Sequence, residues 1–483
     1  MGKNKLIKTL QKLSLEERAG FVRFVQSPYF NTSKELIRLS ELIASQTAES
    51  SDADFLKKMY PRAQQSPRKL TDLVYQLTNL LEEYLSIEKY RANPFQQKIN
   101  LMSLVYEKDL EPLANGIEKD LEQLHAQSPL RDSNFFYESF MVHAERDFSF
   151  RLSGKISDDE SLQIKSDQLD LFYLAQKLKD ACEMLNRSRI VATRYDLKML
   201  EAVIPYLRQH PELHAGHVAI QVYLNMYLML TENDSAPYFF RLKELADQNP
   251  DAFVNDELLS IYGYAQNYCI RRLNAGEADF LYHLFGIYKH SFETGLVLTN
   301  NKNIEWDFKN FVSLGLRIKD FDWTYHIIDV FRGQLPVAVR QNAYTYNLAN
   351  YYYETGDYKR ATKLLNSVEF TEIYYNLDAK SMLLKIYYKV EEEESFYSLV
   401  SSFGIYLRRN KLISNENVEV YSNLIRFTKK AFVLKTMLPY ERKKDFMKKV
   451  DQLKQSISGT QKIMNINWLR QELEILGGVD GGN

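Results

Sequence analysis

Three histidines within eight residues, His210, His214 and His217 in QHPELHAGH, form the densest set of potential metal ligands in the chain. Three neutral imidazoles can hold a zinc ion and leave a fourth position open. Pro211 and Gly216 place them in a turn between helices, however, and nothing in the pattern aims the rings at one point. Solvated turn histidines are the expectation. Asp158, Asp159 and Glu160 form an acidic run, but Leu162 stands where a further acid would complete a metal motif, and acids at a helix start already suit the macrodipole. Cys182 and Cys269 sit among apolar and aromatic residues, where a small buried hydrophobe is the usual role. No phosphate-cradling G-x-G-x-x-G or G-x-x-x-x-G-K-[ST] occurs, nor H-E-x-x-H, nor G-x-S-x-G. We therefore assign no catalytic residue, cofactor or metal, and expect a binding protein before an enzyme.

Charge has more content than the net value of −1 suggests. From Ile405 to Arg470 there are fifteen Lys and Arg against five Asp and Glu, which makes this segment +10 and the remainder −11. Arg408, Arg409, Lys411, Lys429, Lys430, Arg442, Lys443, Lys444, Lys448 and Lys449 dominate it, with Tyr406, Tyr421, Phe427, Phe432, Tyr440 and Phe446 interleaved. Basic residues with aromatics can bind nucleic acid by neutralising phosphates and stacking on bases. At helical spacing the same pattern also describes aromatics facing a core while lysines solvate the outer face. The second reading is preferred, because the chain as a whole is not basic.

The elements that must position these residues are helices. A chain of 483 residues with 45% hydrophobic content exceeds one compact domain and can bury an ample core. Its 33 Tyr and 27 Phe against 18 Gly and 12 Pro make it rich in packing surface and poor in turns. Two cysteines 87 positions apart cannot form a disulfide framework, so a reducing compartment is implied. The first residues, MGKNKLIKTLQKLS, are charged and amphipathic, unlike a signal peptide, and Leu6 occupies the place where a myristoylation motif has Ser or Thr. The longest apolar runs, such as Tyr223 to Leu230, fall well short of the ~20 residues that cross a bilayer. A cytoplasmic protein without membrane contact is expected.

Apolar residues recur at spacings of three and four nearly throughout, and period-two alternation is confined to Ser188 to Thr193 and Gly295 to Thr299. An all-α fold follows. Ser14 with Glu17, and Ser157 with Glu160, have the spacing of capping boxes. Pro28, Pro61, Pro67, Pro94, Pro112 and Pro129 cut the first half into short helices, with a longer one from about Pro67 to Ala92. Gly154, between Ser153 and Ser157, marks the clearest internal boundary. The expected organisation is an N-terminal helical region over 1–152, hairpins over 157–409 that are clearest in 301–409, basic helices over 414–476, and a disordered tail over 477–483.

The segment YTYNLANYYYETGDYKRATKLLNSVEF, from Tyr344 to Phe370, carries Leu348, Ala349 and Tyr352, a Gly356-Asp357-Tyr358 turn, then Ala361, Leu365 and Val368. It resembles one tetratricopeptide repeat. A shift back by 37 residues aligns Phe311, Val312, Asp320, Phe321, Thr324, Ile328 and Phe331 with Leu348, Ala349, Asp357, Tyr358, Ala361, Leu365 and Val368. A shift forward by 35 aligns Leu383 and Tyr387 with Leu348 and Tyr352, although Glu391 then stands where the turn glycine belongs. Tyr264 to His290 reads as another helix, glycine turn and helix, with a longer first helix. The chain as a whole is similar to bacterial helical-repeat proteins, a likeness that carries no activity.

The resemblance implies an α-solenoid of antiparallel hairpins whose groove holds a protein or peptide. In that family the inward residues of each first helix line the groove, which here implies Lys309 and Asn310, then Tyr346, Asn347, Asn350 and Tyr353, and finally Lys385. Nucleic acid or an acidic partner on the basic helices is the alternative, and a helical enzyme without a known motif is a second; a small-molecule ligand is not expected. The register is testable at Ala361, where small residues let the helices of one hairpin touch. Replacing Ala361 with Phe should cost about 1–3 kcal/mol by overpacking, measured by chemical denaturation.

Overall fold

The computed structural model describes residues 3–44, 52–61, 67–108, 110–153, 160–190, 193–298, 304–367, 373–437 and 442–478. Among these the secondary structure is helical, with no strand. The chain divides into two compact units, residues 1–230 with 251–253, and residues 231–250 with 254–483. No described helix is long and apolar enough to cross a membrane.

The first unit carries α1 (Lys3–Leu10), α2 (Leu15–Gln26), α3 (Lys34–Ala44), α4 (Asp52–Met59), α5 (Pro67–Arg91), α6 (Pro94–Glu107), α7 (Glu111–Gln127), α8 (Ser133–Ser153), α9 (Ser161–Ile190), α10 (Leu200–Gln209), α11 (Glu212–Ala215) and α12 (Val218–Thr231). Local chemistry explains many starts. At α2 the Glu17 amide donates to the Ser14 hydroxyl at 3.1 Å, and the Ser14 amide donates to the Glu17 carboxylate at 2.6 Å, which closes the capping box. Pro67, Pro94 and Pro112 each lie in a first turn, where a missing amide hydrogen costs nothing, and α5 is the long helix anticipated from Pro67. Ser157 and the boundary glycine Gly154 lie outside the described residues; α8 and α9 on either side of them are packed together. One core cluster joins α1 to α5 through Leu6, Phe21, Val25, Leu39 and Leu77. Another joins α6, α7 and α8 through Ile99, Met102, Leu121 and Val142.

The second unit carries α13 (Ala236–Gln248), α14 (Asn255–Asn274), α15 (Phe280–Glu293), α16 (Ile304–Ile318), α17 (Phe321–Gln334), α18 (Val337–Glu354), α19 (Tyr358–Ser367), α20 (Ile373–Val390), α21 (Glu393–Arg409), α22 (Asn415–Met437), α23 (Lys443–Ser458) and α24 (Ile466–Gly478). Ser188 to Ile190 end α9, and Leu296 to Leu298 form a 3₁₀ turn, so the described residues of neither alternating scrap form a strand. Gly477 and Gly478, expected in a disordered tail, belong to α24, and residues 479–483 lie outside the described ones. Packing follows a rule: α16, α18, α20 and α22 each touch the next helix in the chain and the one after that. Every second helix also packs on the first helix of the following pair. Phe308, Phe311 and Phe331 fill the space this creates, with Phe308 stacked on Phe331 at 5.0 Å, and full burial of each ring contributes about 1.5–3 kcal/mol.

The hairpin turns share one geometry. Lys319, Gly356 and Glu391 have φ of 66°, 83° and 58°, and the amide that follows each donates to the carbonyl five residues back: Asp320 to Gly315 at 3.0 Å, Asp357 to Tyr352 at 2.8 Å, Glu392 to Tyr387 at 3.2 Å. This is the left-handed closure of a helix end, and it falls at the positions that shifts of 37 and 35 residues make equivalent. Gly276 with Glu277 repeats it between α14 and α15. Asp320 and Asp357 then cap the next helix by accepting the amides of Trp323 and Arg360 at 3.1 and 3.0 Å. Thr324 and Ala361, equivalent by the same shift, are both fully buried. The third copy departs there: Phe396 occupies the place and stacks on Phe432 of α22 at 4.1 Å.

Side chains with a Cβ adopt the left-handed region at a cost of about 1–2 kcal/mol, which glycine avoids. Gly356→Ala should therefore lower stability by about 1 kcal/mol, since a Cβ there meets no atom within 4 Å and only backbone strain acts. Lys319→Gly and Glu391→Gly should leave stability unchanged or raise it by up to about 1 kcal/mol. Urea denaturation of the three variants checks the shared turn.

Candidate partner-binding site

Of the seven residues expected to line a groove, Lys309 lies against Tyr346 and Lys385 against Tyr353, and six of the seven are buried or half-buried. Tyr346, Asn347 and Tyr353 are buried, Lys309, Asn350 and Lys385 are half-buried, and Asn310 alone is exposed. No described side chain between residues 373 and 389 of α20 is exposed. The Asn347 amide donates to its own helix, at the Ala343 carbonyl 2.9 Å away. Lys309 donates to Asp378 of α20 at 2.7 Å, and the Tyr421 hydroxyl of α22 donates to the other oxygen of that carboxylate at 3.4 Å. Lys389 pairs with the buried Glu472 of α24, and Lys435 of α22 donates to the Tyr388 and Lys389 carbonyls at 3.1 and 3.3 Å. Ion pairs and tyrosines thus occupy the space where an extended ligand was expected. Burial, with Asp378 nearby, holds the Tyr346 hydroxyl well above its ordinary range, and burial likewise raises Tyr353.

An open site lies further along, between α22 and α23. These helices pack together, and a cleft of about 700 Å³ runs between them. Its cations are Arg426, Lys429 and Lys430 from α22 and Lys449 from α23. Val433, Leu434 and Met437 of α22, with Leu453 of α23, supply its apolar surface, and Gln452 and Ser456 add neutral hydrogen-bonding groups. Among the described residues no carboxylate lines it. Arg426, Lys429 and Lys430 are exposed and make no ion pair or hydrogen bond among the described residues. The α22 residues sit at 426, 430, 433 and 437, a helical stripe along one face.

Of the aromatics interleaved with the basic residues, Tyr421, Phe427, Phe432 and Phe446 are buried, Tyr406 is half-buried, and Tyr440 lies outside the described residues. The lysines around them are exposed, so this segment has inward rings and an outward cationic face. Lys429, Lys430 and Lys449 were visible in the charge pattern; Arg426 and Met437 were not. The signal that finds them is the three- and four-residue spacing along α22, which joins both to the lysines.

The remaining candidates separate. His210 contacts Glu212 at 3.0 Å, His214 contacts the Leu207 carbonyl at 3.2 Å, and His217 lies edge-on to Phe136 with ring centres 5.5 Å apart. Among the described residues no group of three or more His, Cys, Asp or Glu is placed to hold a metal, while Asp158 and Asp159 lie outside them. Both cysteines are fully buried; burial raises the Cys182 thiol and pushes that of Cys269 up to about 12, which disfavours the reactive thiolate. The densest other polar cluster surrounds Asp247, which accepts from Tyr262 at 2.8 Å, pairs with Lys243, and lies 3.8 Å from His290. Its members tie α13, α14 and α15 together. No protein-family model matches the chain, and neither a curated protein nor a solved structure does.

Lys385 offers a check on the enclosed face. Its amine lies 4.6 Å above the Tyr353 ring, and burial holds it below the ordinary lysine value despite Glu354 and Asp378 nearby. A lowered folded value means that the unfolded chain binds more protons in the window up to 10.5, so this group makes stability rise with pH there. Lys385→Met removes the cost of enclosing a charge and should raise stability at pH 7. The gain should shrink as the pH approaches 10.5, where the lysine is losing its charge in both states. Denaturation at the two pH values reads this; equal stability of variant and wild type at pH 7 would place Lys385 at an open surface.

Proposed function

We propose that the protein is a non-catalytic binding scaffold, a solenoid of tetratricopeptide-like hairpins whose C-terminal helices recognise an acidic segment of a protein partner. The cleft between α22 and α23 carries this reading, because Arg426, Lys429 and Lys430 meet there, exposed and without an ion pair among the described residues. Unneutralised like charges repel one another, and an anionic ligand relieves that repulsion while its carboxylates gain charge-assisted hydrogen bonds. The recurring left-handed turns and the packing of each helix on its next two neighbours support the solenoid. The enclosure of Tyr346, Asn347 and Tyr353 favours the cleft over the groove as the docking place.

A protein segment suits the cleft better than single-stranded nucleic acid. Base stacking needs exposed rings, and among the described residues no aromatic side chain lines this cleft. Its uncharged surface is aliphatic, from Val433 to Met437, which suits apolar side chains.

Poly-L-glutamate serves as a minimal acidic probe. Wild-type protein should bind it with an affinity that falls as salt rises, and Arg426→Glu/Lys430→Glu should weaken binding by at least about tenfold at low salt. Lys309→Ala/Lys385→Ala should bind as wild type does. Unchanged binding by the charge-reversed variant sinks the proposal, and capture of duplex DNA without polyglutamate transfers the site to nucleic acid.

A further inference from the structure

We infer that the α22–α23 cleft takes an amphipathic acidic helix, laid along the two helices with an acidic turn at one end and an apolar face at the other. The inference rests on the proposed acidic-partner function and adds the shape and polarity of the ligand. Charge and apolar surface are not mixed along α22. Arg426, Lys429 and Lys430 occupy the first part of the stripe, and Val433, Leu434 and Met437 the second. With only residues 438–442 between them, α22 and α23 run in opposite directions, and their stripes at 426 to 437 and 449 to 456 flank a shared channel.

Eleven residues of stripe at 1.5 Å per residue give a channel of about 16 Å, or three helical turns. A third helix seated between two antiparallel ones presents side chains at spacings of three and four, the same spacing as the stripe. An extended peptide would alternate its side chains between opposite faces and leave half of them unmatched. The apolar end also needs covering. Met437 is 39% exposed and continuous with the cleft wall at Val433 and Leu434, so apolar ligand residues gain burial there that polyglutamate cannot. Gln452 and Ser456 supply neutral hydrogen-bonding partners.

The test compares a designed peptide of about 15 residues, long enough for marginal helix formation, having Glu in its first turns and Leu at i, i+3, i+4 and i+7, with a scrambled peptide of identical composition. Fluorescence anisotropy with the full-length protein should show the amphipathic peptide binding at least about tenfold tighter than its isomer. Met437→Asp should weaken the amphipathic peptide by about tenfold and leave polyglutamate binding unchanged; Met437→Ala should give a smaller loss in the same direction. The partial exposure of Met437 lets both variants fold, which their thermal melts establish. Equal affinity for the two peptides, with no effect of Met437→Asp, overturns the inference while the acidic-partner reading stands. Failure of Arg426→Glu/Lys430→Glu to alter binding of either peptide overturns the reading beneath it. Binding of phosphatidylserine vesicles in preference to the amphipathic peptide also overturns it, in favour of a lipid surface.

Discussion

A pair of antiparallel helices has apolar surface on more sides than one partner can cover, and the second unit is organised by that constraint. Each first helix from α16 to α22 gains cover from its own partner, from the next first helix, and from the second helix of the preceding pair where there is one. For the middle of α18 and for α20 the cover is closest to complete. Six of the seven residues from Ala343 to Ala349 are buried, and α20 has no exposed described side chain before Val390. These helices serve as the core on which neighbours are stacked.

Enclosure on that scale fixes what the polar residues must do. A buried charge is tolerated only when paired or hydrogen-bonded, and the interior meets this demand through Lys309 with Asp378, Lys389 with Glu472, and Lys435 with two carbonyls. Those contacts link α16, α20, α22 and α24, so they also set the register of one hairpin on the next. Lys385 is the exception: a ring face is its closest described partner, and its lowered affinity for a proton is the consequence. The Asn347 carbonyl oxygen, buried without a partner, is a second point of incomplete satisfaction on the same face.

Much of this was legible from residue types. Helices, the Ser14–Glu17 cap, the Pro67 start and the equivalence of Asp320 with Asp357 all depend on interactions within a few residues, and local pattern encodes those directly. Equivalence even survived the loss of glycine, since Lys319 and Glu391 adopt the same left-handed conformation as Gly356. What was not legible is how closely successive hairpins approach. Tyr346, Tyr353 and Lys385 have the polarity of a groove lining, and only contacts made with residues as distant as Asp378, Tyr421 and Glu472 turn that lining into an interior. Arg426 was missed for a related reason: a charge count weighs clusters in sequence, whereas the stripe from Arg426 to Met437 spreads over three turns.

The cationic cleft is also the place where the charge of the C-terminal segment has nowhere else to go. Of its five acids, Glu416 and Glu419 lie 3.3 and 3.9 Å from Lys462, and Glu441 lies outside the described residues. Glu391 and Glu472, contributed from outside the segment, pair with Lys435 and Lys389, the first at the surface and the second buried. Asp445 and Asp451 belong to α23 but do not line the cleft. The described acids near this region are thus paired or absent from the cleft lining, and Arg426, Lys429 and Lys430 face solvent beside aliphatic surface. Solvent screens exposed charges of like sign at modest cost, so folding tolerates the arrangement. Aliphatic surface beside them gains little from solvent, and it is this adjacency, more than the charge alone, that separates a recognition surface from a merely solvated face.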